Sequence, residues 1–213
     1  MTDQYFLCYN IPVMSSESLQ TTHLAPEHID TLTGYANRDW LNENLPEIIE
    51  TNPGECAVLF VDLDGLKSKN DTEGHEAGNR LIIETADAID GSIRHTNDKR
   101  VGDQVGRLVR LHGDELVVVL LGVKGDEDLS VVSSRVQRKL EEKRIRASIG
   151  GAIHDKTRKE TASELLHRAD IAMLEEKQVR KQARFDALPV RKRIASKLGS
   201  RLMRYAGINP PRQ

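Results

Sequence analysis

Apolar residues along the chain form short continuous runs and longer stretches with helical spacing, separated by polar turns. Continuous apolar runs bounded by glycine and aspartate are typical of buried strands, and they occur at residues 57–61, 105–111, 115–123 and 145–153. Apolar positions three and four apart predict helices at residues 37–50, 75–94, 129–143 and 162–184. The polar stretch at residues 62–74 predicts a loop, and Pro46 is expected to bend the first helix.

The order of these elements predicts an α+β fold. The second and third strands form a hairpin, because Gly113 and Asp114 lie in a tight turn between them. The resulting βαββαβ order is that of the ferredoxin-like, or palm-type, arrangement. Its core is a central sheet rich in antiparallel strands and flanked by helices.

Two pairs of acidic residues lie at the ends of predicted strands. Asp62 and Asp64 end the first strand, and Asp114 and Glu115 occupy the hairpin turn about fifty residues later. If the two strands are neighbours in one sheet, these carboxylates converge. Converging carboxylates supply hard oxygen ligands, which Mg²⁺ accepts when it also holds substrate phosphates. The pattern indicates a nucleotidyl-transfer site, although an isolated Asp-Gly turn is more often simply solvated.

Five motifs occur in an order and spacing similar to those of GGDEF domains. They are DTLTGYANR at 30–38, VDLDGLK at 61–67 continuing to Asn70-Asp71 and Gly74-His75, HGDEL at 112–116, SIG at 148–150 and RADIAM at 168–173. The resemblance covers roughly residues 26–184. It implies the same palm-type architecture that the element order predicts.

The resemblance implies a diguanylate cyclase. In that family two GTP-loaded domains of a homodimer face each other, and each ribose 3′-hydroxyl attacks the other α-phosphate to close cyclic di-GMP and release pyrophosphate. By resemblance, Asp62, Asp114 and the Leu63 carbonyl hold Mg²⁺ or Mn²⁺, which stabilises the developing charge. Glu115 is then the acidic residue at the reacting centre, as a ligand or a base, and Gly113 contacts the substrate.

Three lysines match phosphate-contacting positions of the family. Lys67 lies in the loop after the first strand, where backbone amides and a lysine contact the triphosphate. Lys177 and Lys181 are four residues apart, hence on one helical face, and match a late basic pair. The second position is usually arginine, so Lys181 replaces a bidentate fork by a point charge, and Arg180 is an adjacent substitute. The alternative for each is an ordinary solvated charge.

The base-reading positions depart from the family. Asn70 is retained, but the aspartate that usually follows the later glycine is Asn79, after Gly78. One carboxylate accepts both adjacent donors of guanine, whereas an amide offers one acceptor and one donor and suits adenine at least as well. Asn79 therefore implies relaxed purine specificity or weak affinity for GTP. The alternative is an exposed helix residue without contact to the base.

His112 replaces the first glycine of the signature, and Leu116 replaces the usual phenylalanine. Glycine allows a tight turn and close approach to the nucleotide. The histidine is therefore expected to add bulk and, unless it adopts the left-handed region, a φ constraint. Leu116 is a core substitution of similar apolar character.

An inhibitory product site of the family, an Arg-x-x-Asp ahead of the signature, has a candidate in Arg100 and Asp103. Eight residues separate Asp103 from His112, which is too many for the usual spacing. In the family's register the two positions fall on Asp103 and Gly106. An ordinary charged loop before the hairpin is the favoured alternative.

The length of 213 residues fits one domain with short extensions, which we place at residues 1–24, 25–186 and 187–213. The net charge of −2 argues against nucleic-acid binding by the whole surface. The longest apolar run, residues 116–123, is too short to span a bilayer, and Cys8 and Cys56 have no metal-ligand spacing. We therefore expect a cytoplasmic protein with two reduced thiols and no transmembrane segment.

Two functions stay open at this point. The retained Asp62, Asp114 and Glu115 favour an enzyme acting on GTP or another purine nucleotide. His112 and Asn79 favour a degenerate, inactive domain that binds nucleotide and signals through a partner. The segment after residue 188 carries seven Lys or Arg and no acidic residue on a predicted amphipathic helix. Acidic lipid and nucleic-acid phosphate are its candidate partners, and packing against the domain is the third alternative.

Overall fold

The computed structural model describes residues 24–93 and 105–187. Within these ranges the strands are β1 (Ala36–Asn37), β2 (Cys56–Leu63), β3 (Val105–His112), β4 (Glu115–Leu121) and β5 (Ala147–Ile153). The α-helices are α1 (Arg38–Thr51), α2 (Leu66–Glu73), α3 (His75–Ile93), α4 (Asp126–Glu142) and α5 (Ala162–Asp186), preceded by one 3₁₀ turn at Pro26–His28.

The five strands form one mixed sheet in the order β1-β3-β4-β2-β5. β2 is antiparallel to both β4 and β5, and β3 and β4 form the antiparallel hairpin. Only the short β1 pairs in parallel, with β3. Four antiparallel strands connected as βαββαβ confirm the predicted α+β, ferredoxin-like fold with an antiparallel-rich sheet.

The sheet is covered by helices on both faces, which is why all eight residues of β2 are buried. Alternate residues of β2 point to opposite faces. Ala57, Leu59, Val61 and Leu63 belong to one hydrophobic cluster, with α3 and α4. Cys56, Val58 and Phe60 belong to the other cluster, with α1 and α5. By this alternation, Asp62 lies on the face that α5 covers.

Helix α5 packs very closely on β5. A Cβ on Gly150 would lie 1.9 Å from the backbone N of Met173, so the glycine is what permits this approach. The helix begins with a capping box in which Thr161 and Glu164 bond to each other's backbone N–H. Close packing and a fixed start set where every later side chain of α5 falls.

One predicted local feature differs in the structure. Residues 66–73, predicted as part of a loop, form the helix α2. Its only buried residue is Leu66, so the hydrophobic stripe that identifies other helices is missing. Helix α1 continues through Pro46 to Thr51.

Several predictions concern residues outside the described ranges. They include all but the last residue of the extension at residues 1–24, with Cys8. They also include the product-site candidates Arg100 and Asp103 and the basic segment from residue 188. Of the two cysteines, Cys56 is described: it is free and buried, and burial raises the pKa of its thiol to about 12. In the described part of the chain, no helix is both long and apolar enough to cross a membrane.

Candidate active site

The two acidic motifs meet at the ends of β2 and β4. Asp62 is the register partner of Glu115, so their side chains leave the same face of the sheet. The backbone N of Leu63 donates to the carbonyl oxygen of Asp114 at 3.2 Å. The predicted convergence of the two motifs is therefore present in the fold, and it depends on β2 and β4 being adjacent and antiparallel.

A lysine from α5 reaches this cluster. Lys177 lies one turn beyond Met173, the residue that packs on Gly150. Its Nζ donates to Oδ1 of Asp62 at 2.5 Å, and its side chain is 26% exposed. The cation and the carboxylate come from positions 115 residues apart in the chain.

Burial and mutual repulsion make the cluster unfavourable as a set of free carboxylates. Burial raises the pKa of Asp62; Lys177 lowers it, and the charge of Asp114 raises it again. Burial likewise raises the pKa of Glu115, which His112 lowers and the neighbouring carboxylates raise. Groups held this way are typical of sites where a cation or a reacting proton is handled.

His112 does not adopt the left-handed conformation. Among the described residues Arg144 is the one non-glycine residue with positive φ, so the backbone of His112 is in a region that any residue can occupy. A register shift between Arg110 and His112 leaves Gly113 as the residue with positive φ, at 51°. The imidazole Nε2 of His112 instead lies 3.3 Å from a carboxylate oxygen of Glu115.

Arg110 ties the hairpin turn to the N-terminal turn of the domain. Its guanidinium donates to both carboxylate oxygens of Asp30, at 3.2 and 3.1 Å, and to the Gly113 carbonyl at 3.0 Å. Burial alone would raise the pKa of Asp30, but hydrogen bonds from Thr33 and Arg110 lower it below its ordinary value. Sequence reasoning did not assign Asp30 or Arg110 a role, although Asp30 opens the first motif.

The predicted phosphate-contacting residues lie around the start of α2 and along α5. Lys67 is exposed in the first turn of α2, where the N-cap Gly65 (φ 86°) provides no side-chain cap for the first N–H groups. Lys181 is exposed on α5. Arg180, the adjacent substitute, forms an ion pair with Glu176 four residues earlier, and its role toward phosphate stays a prediction. Arg184, which the sequence did not single out, donates to Oδ2 of Asp64 at 2.9 Å.

The predicted base-reading residues have different environments. Gly78 is buried in α3, and a Cβ there would lie 1.8 Å from Oδ1 of Asn70. That amide oxygen is buried and has no hydrogen-bond partner in the described part of the chain. Asn79, by contrast, is exposed in the first turns of α3. The structure thus places the Asn70 amide oxygen in a buried contact with Gly78 of α3, and Asn79 on the exposed surface of that helix.

Two further polar residues lie beside the carboxylates and were missed by sequence reasoning. Asp170 on α5 raises the pKa of Glu115 through its charge. Ser148 is the register partner of Asp62 on β5, and its hydroxyl is buried without a hydrogen-bond partner among the described residues. Asp170 lies seven residues before Lys177, on the same helical face, and that spacing was the available signal.

The donor set fits a metal ion that is shared with a nucleotide. Within residues 24–93 and 105–187, no group of three or more His, Cys, Asp or Glu side chains is arranged to hold a metal ion by itself. Mg²⁺ usually takes one or two carboxylates together with substrate phosphates. Asp62 and Asp114 with the Leu63 carbonyl supply that kind of partial shell, with Lys177 displaced from Asp62.

The chain is similar to proteins of one known family. The family model described as diguanylate cyclase, GGDEF domain, matches residues 27–183. The chain belongs to the GGDEF family. The bifunctional diguanylate cyclase/cyclic di-GMP phosphodiesterase MucR of Pseudomonas aeruginosa is 33% identical to it over 155 residues, which are 68% of this chain and 21% of MucR.

Other relatives are also larger than the matched GGDEF domain. Diguanylate cyclase DgcP of Escherichia coli is 28% identical over 177 residues, which are 78% of this chain and 49% of DgcP. The solved GGDEF domain of TpbB from Pseudomonas aeruginosa has 27% identity and a TM-score of 0.59, covering 71% of this chain and 89% of that one. The chain thus spans about a fifth of MucR and about half of DgcP.

Proposed function

We propose that this GGDEF domain is a diguanylate cyclase, which condenses two GTP molecules into cyclic di-GMP and releases pyrophosphate. The observation that carries the proposal is the convergence of Asp62, Asp114 and Glu115 at adjacent strand ends, with Lys177 2.5 Å from Asp62. A structural turn without a ligand gains nothing from gathering carboxylates, and burial raises the pKa values of Asp62 and Glu115.

Each group has a stated role in this proposal. Asp62, Asp114 and the Leu63 carbonyl hold Mg²⁺ or Mn²⁺, which stabilises negative charge on the phosphates. Lys177 leaves Asp62 and binds phosphate when the nucleotide arrives. Glu115 accepts the proton of the attacking 3′-hydroxyl or helps to hold the metal, and its raised pKa suits a proton acceptor.

The nucleotide is bound at three places. The uncapped N–H groups at the start of α2, with Lys67 and Gly113, contact the triphosphate and its surroundings. Lys181 adds charge from α5. Asn70 and Asn79 face the base, and the exchange of a carboxylate for the Asn79 amide relaxes the preference for guanine over adenine.

Catalysis in this proposal requires a homodimer, because one domain supplies one nucleotide of the reacting pair. The encounter is transient or permanent, and in both cases the two sites must face each other. The place of action is the cytoplasm, where GTP is available. The basic segment after residue 188 is proposed to contact an acidic surface.

A second function is favoured by one contact. The His112 imidazole lies 3.3 Å from Glu115 and occupies the carboxylate at the proposed reacting centre. A domain with that carboxylate covered would bind nucleotide and signal through a partner without turnover.

One experiment separates the two functions. Purified protein is incubated with Mg²⁺ and GTP, ATP or both, the products are resolved chromatographically, and nucleotide binding is measured on the same sample. Cyclic dinucleotide identifies the enzyme. Binding without product identifies the binding module. Neither binding nor product contradicts both functions.

A further inference from the structure

Helix α5 presents three cations along one stripe toward the phosphate side of the site. Lys177, Lys181 and Arg184 follow each other at spacings of four and three residues, so they share a face. Lys177 pairs with Asp62, and Arg184 pairs with Asp64. Arg184, the third cation, lies close to the C-terminal end of this 25-residue helix, which ends at Asp186. A shorter helix would not bring Arg184 to the site.

Arg184 contacts the residue that precedes the proposed phosphate site. Asp64 is the residue immediately before Gly65, the uncapped N-cap of α2. The backbone N of Asp64 donates to the Arg146 carbonyl at 2.9 Å, which fixes the turn. The guanidinium of Arg184 therefore lies beside the N–H groups that, in the proposed function, receive the triphosphate.

The Arg184–Asp64 ion pair can be exchanged for a stronger one. The Arg184 side chain is 47% exposed and the Asp64 side chain 13% exposed, so the guanidinium keeps contact with solvent and can reach a second anion there. A nucleoside triphosphate carries several charges and offers oxygens that match the planar guanidinium fork. Arg180 pairs with Glu176 on its own helix, whereas Arg184 pairs with the residue just before the start of α2.

We infer that Arg184 is a phosphate-binding residue that moves from the Asp64 carboxylate to the triphosphate of the bound nucleotide, and this inference rests on the proposed function. Arg184 supplies the guanidinium fork that Lys181 lacks. It lies one residue beyond the family match, which ends at residue 183.

The test compares binding of two nucleotides by calorimetry in Mg²⁺. The ligands are a non-hydrolysable GTP analogue and GMP, which lacks the β- and γ-phosphates. Arg184→Ala is expected to weaken the triphosphate analogue about tenfold or more, the usual effect of one charge-assisted hydrogen bond, and to leave GMP affinity unchanged. Arg184→Lys, which keeps the charge and loses the fork, should fall between. Arg138→Ala, an exposed arginine of α4, is the control for lost charge.

Asp64→Asn separates phosphate binding from simple positioning of the loop. If Arg184 binds phosphate, removing its carboxylate partner frees it, and affinity for the triphosphate analogue is retained or increases. If Arg184 acts only by holding Asp64, the variant weakens binding as Arg184→Ala does, which overturns the inference.

The remaining outcomes are equally decisive. Equal losses for GMP and the triphosphate analogue, or an Arg184→Ala variant that behaves as Arg138→Ala does, overturn the inference and leave the proposed function standing. A wild-type protein that binds neither nucleotide overturns the proposed function and the inference together.

Discussion

Gly78 and Asn70 fit together so closely that a Cβ on Gly78 would lie 1.8 Å from the Asn70 amide oxygen. Because only a glycine leaves room there, Gly78 permits the observed position of Asn70, one of the two proposed base-reading residues. A helical glycine normally costs stability relative to alanine, so its presence in α3 has a local reason.

Replacing Gly78 by alanine should push Asn70 out of place. We expect Gly78→Ala to destabilise the fold by about 1–3 kcal/mol, as overpacking typically does, and to weaken nucleotide binding. Gly91→Ala is the matched control, because Gly91 lies in the same helix with no atom within 4 Å of its added Cβ. The control should stabilise the fold by about 0.4–1 kcal/mol and leave binding intact. Denaturant unfolding and nucleotide titration of both variants measure these effects, and similar behaviour of the two would contradict the role of Gly78.

Replacing Asp114 by asparagine should abolish product formation and leave the thermal midpoint nearly unchanged. The residue lies in the hairpin turn and is not part of either hydrophobic cluster. The amide keeps the shape and removes the charge that the metal requires. Asp39→Asn, an exposed aspartate in α1, is the control for a lost charge elsewhere. Retained turnover in Asp114→Asn would rule out Asp114 as a metal ligand.

Replacing Asn79 by aspartate should shift the nucleotide preference toward GTP. A carboxylate accepts both guanine donors, and one charge-assisted contact is worth about 1.5–3 kcal/mol. The ratio of GTP to ATP affinity should therefore rise by roughly tenfold or more. Binding of both nucleotides to both proteins is sufficient, even without turnover. An unchanged ratio would mean that Asn79 does not face the base.

Replacing Glu115 by glutamine should stabilise the fold at neutral pH in the absence of nucleotide. The pKa of Glu115 is raised in the folded state by burial and by neighbouring carboxylates. The folded state therefore binds its proton more tightly than the unfolded chain, and this contribution to stability is full below the unfolded pKa of about 4.3 and is lost as pH rises through the folded pKa. The thermal midpoint of Glu115→Gln should exceed that of wild type at pH 7, and the difference should shrink in acid. A variant that is less stable at pH 7 would contradict the repulsion.

The rate of product formation per subunit should rise with protein concentration, because two domains must meet for each cyclisation. Steady-state rates over a concentration series, with sedimentation of the same samples, test this. A rate that is independent of concentration in a demonstrated monomer would exclude cyclisation by paired domains. A tight dimer would also give a constant rate, and sedimentation identifies that case.

The sequence was sufficient for the fold because its signals are local. The strands and long helices follow from apolar spacing, and the order of elements fixes the βαββαβ arrangement. Helix α2 was missed because it buries one side chain and has no stripe. The meeting of Asp62 with Glu115 also followed, since antiparallel neighbours of a buried sheet have little freedom of register.

Tertiary structure alone decided how the cations and the signature turn are arranged. Two ion pairs, Lys177 with Asp62 and Arg184 with Asp64, depend on how closely α5 packs against the sheet. Gly150 permits this close packing, because it has no side chain where the backbone of Met173 lies.

Local geometry decides two further details that the sequence pattern does not predict. Arg180 pairs with its own helix neighbour Glu176, because a contact one turn away is within easy reach of a long side chain. In the hairpin turn the positive φ falls on Gly113, next to a register shift between Arg110 and His112. Apolar spacing determines which face of an element is buried, but long polar side chains select partners only after the elements have packed, and that selection is not encoded in any local pattern.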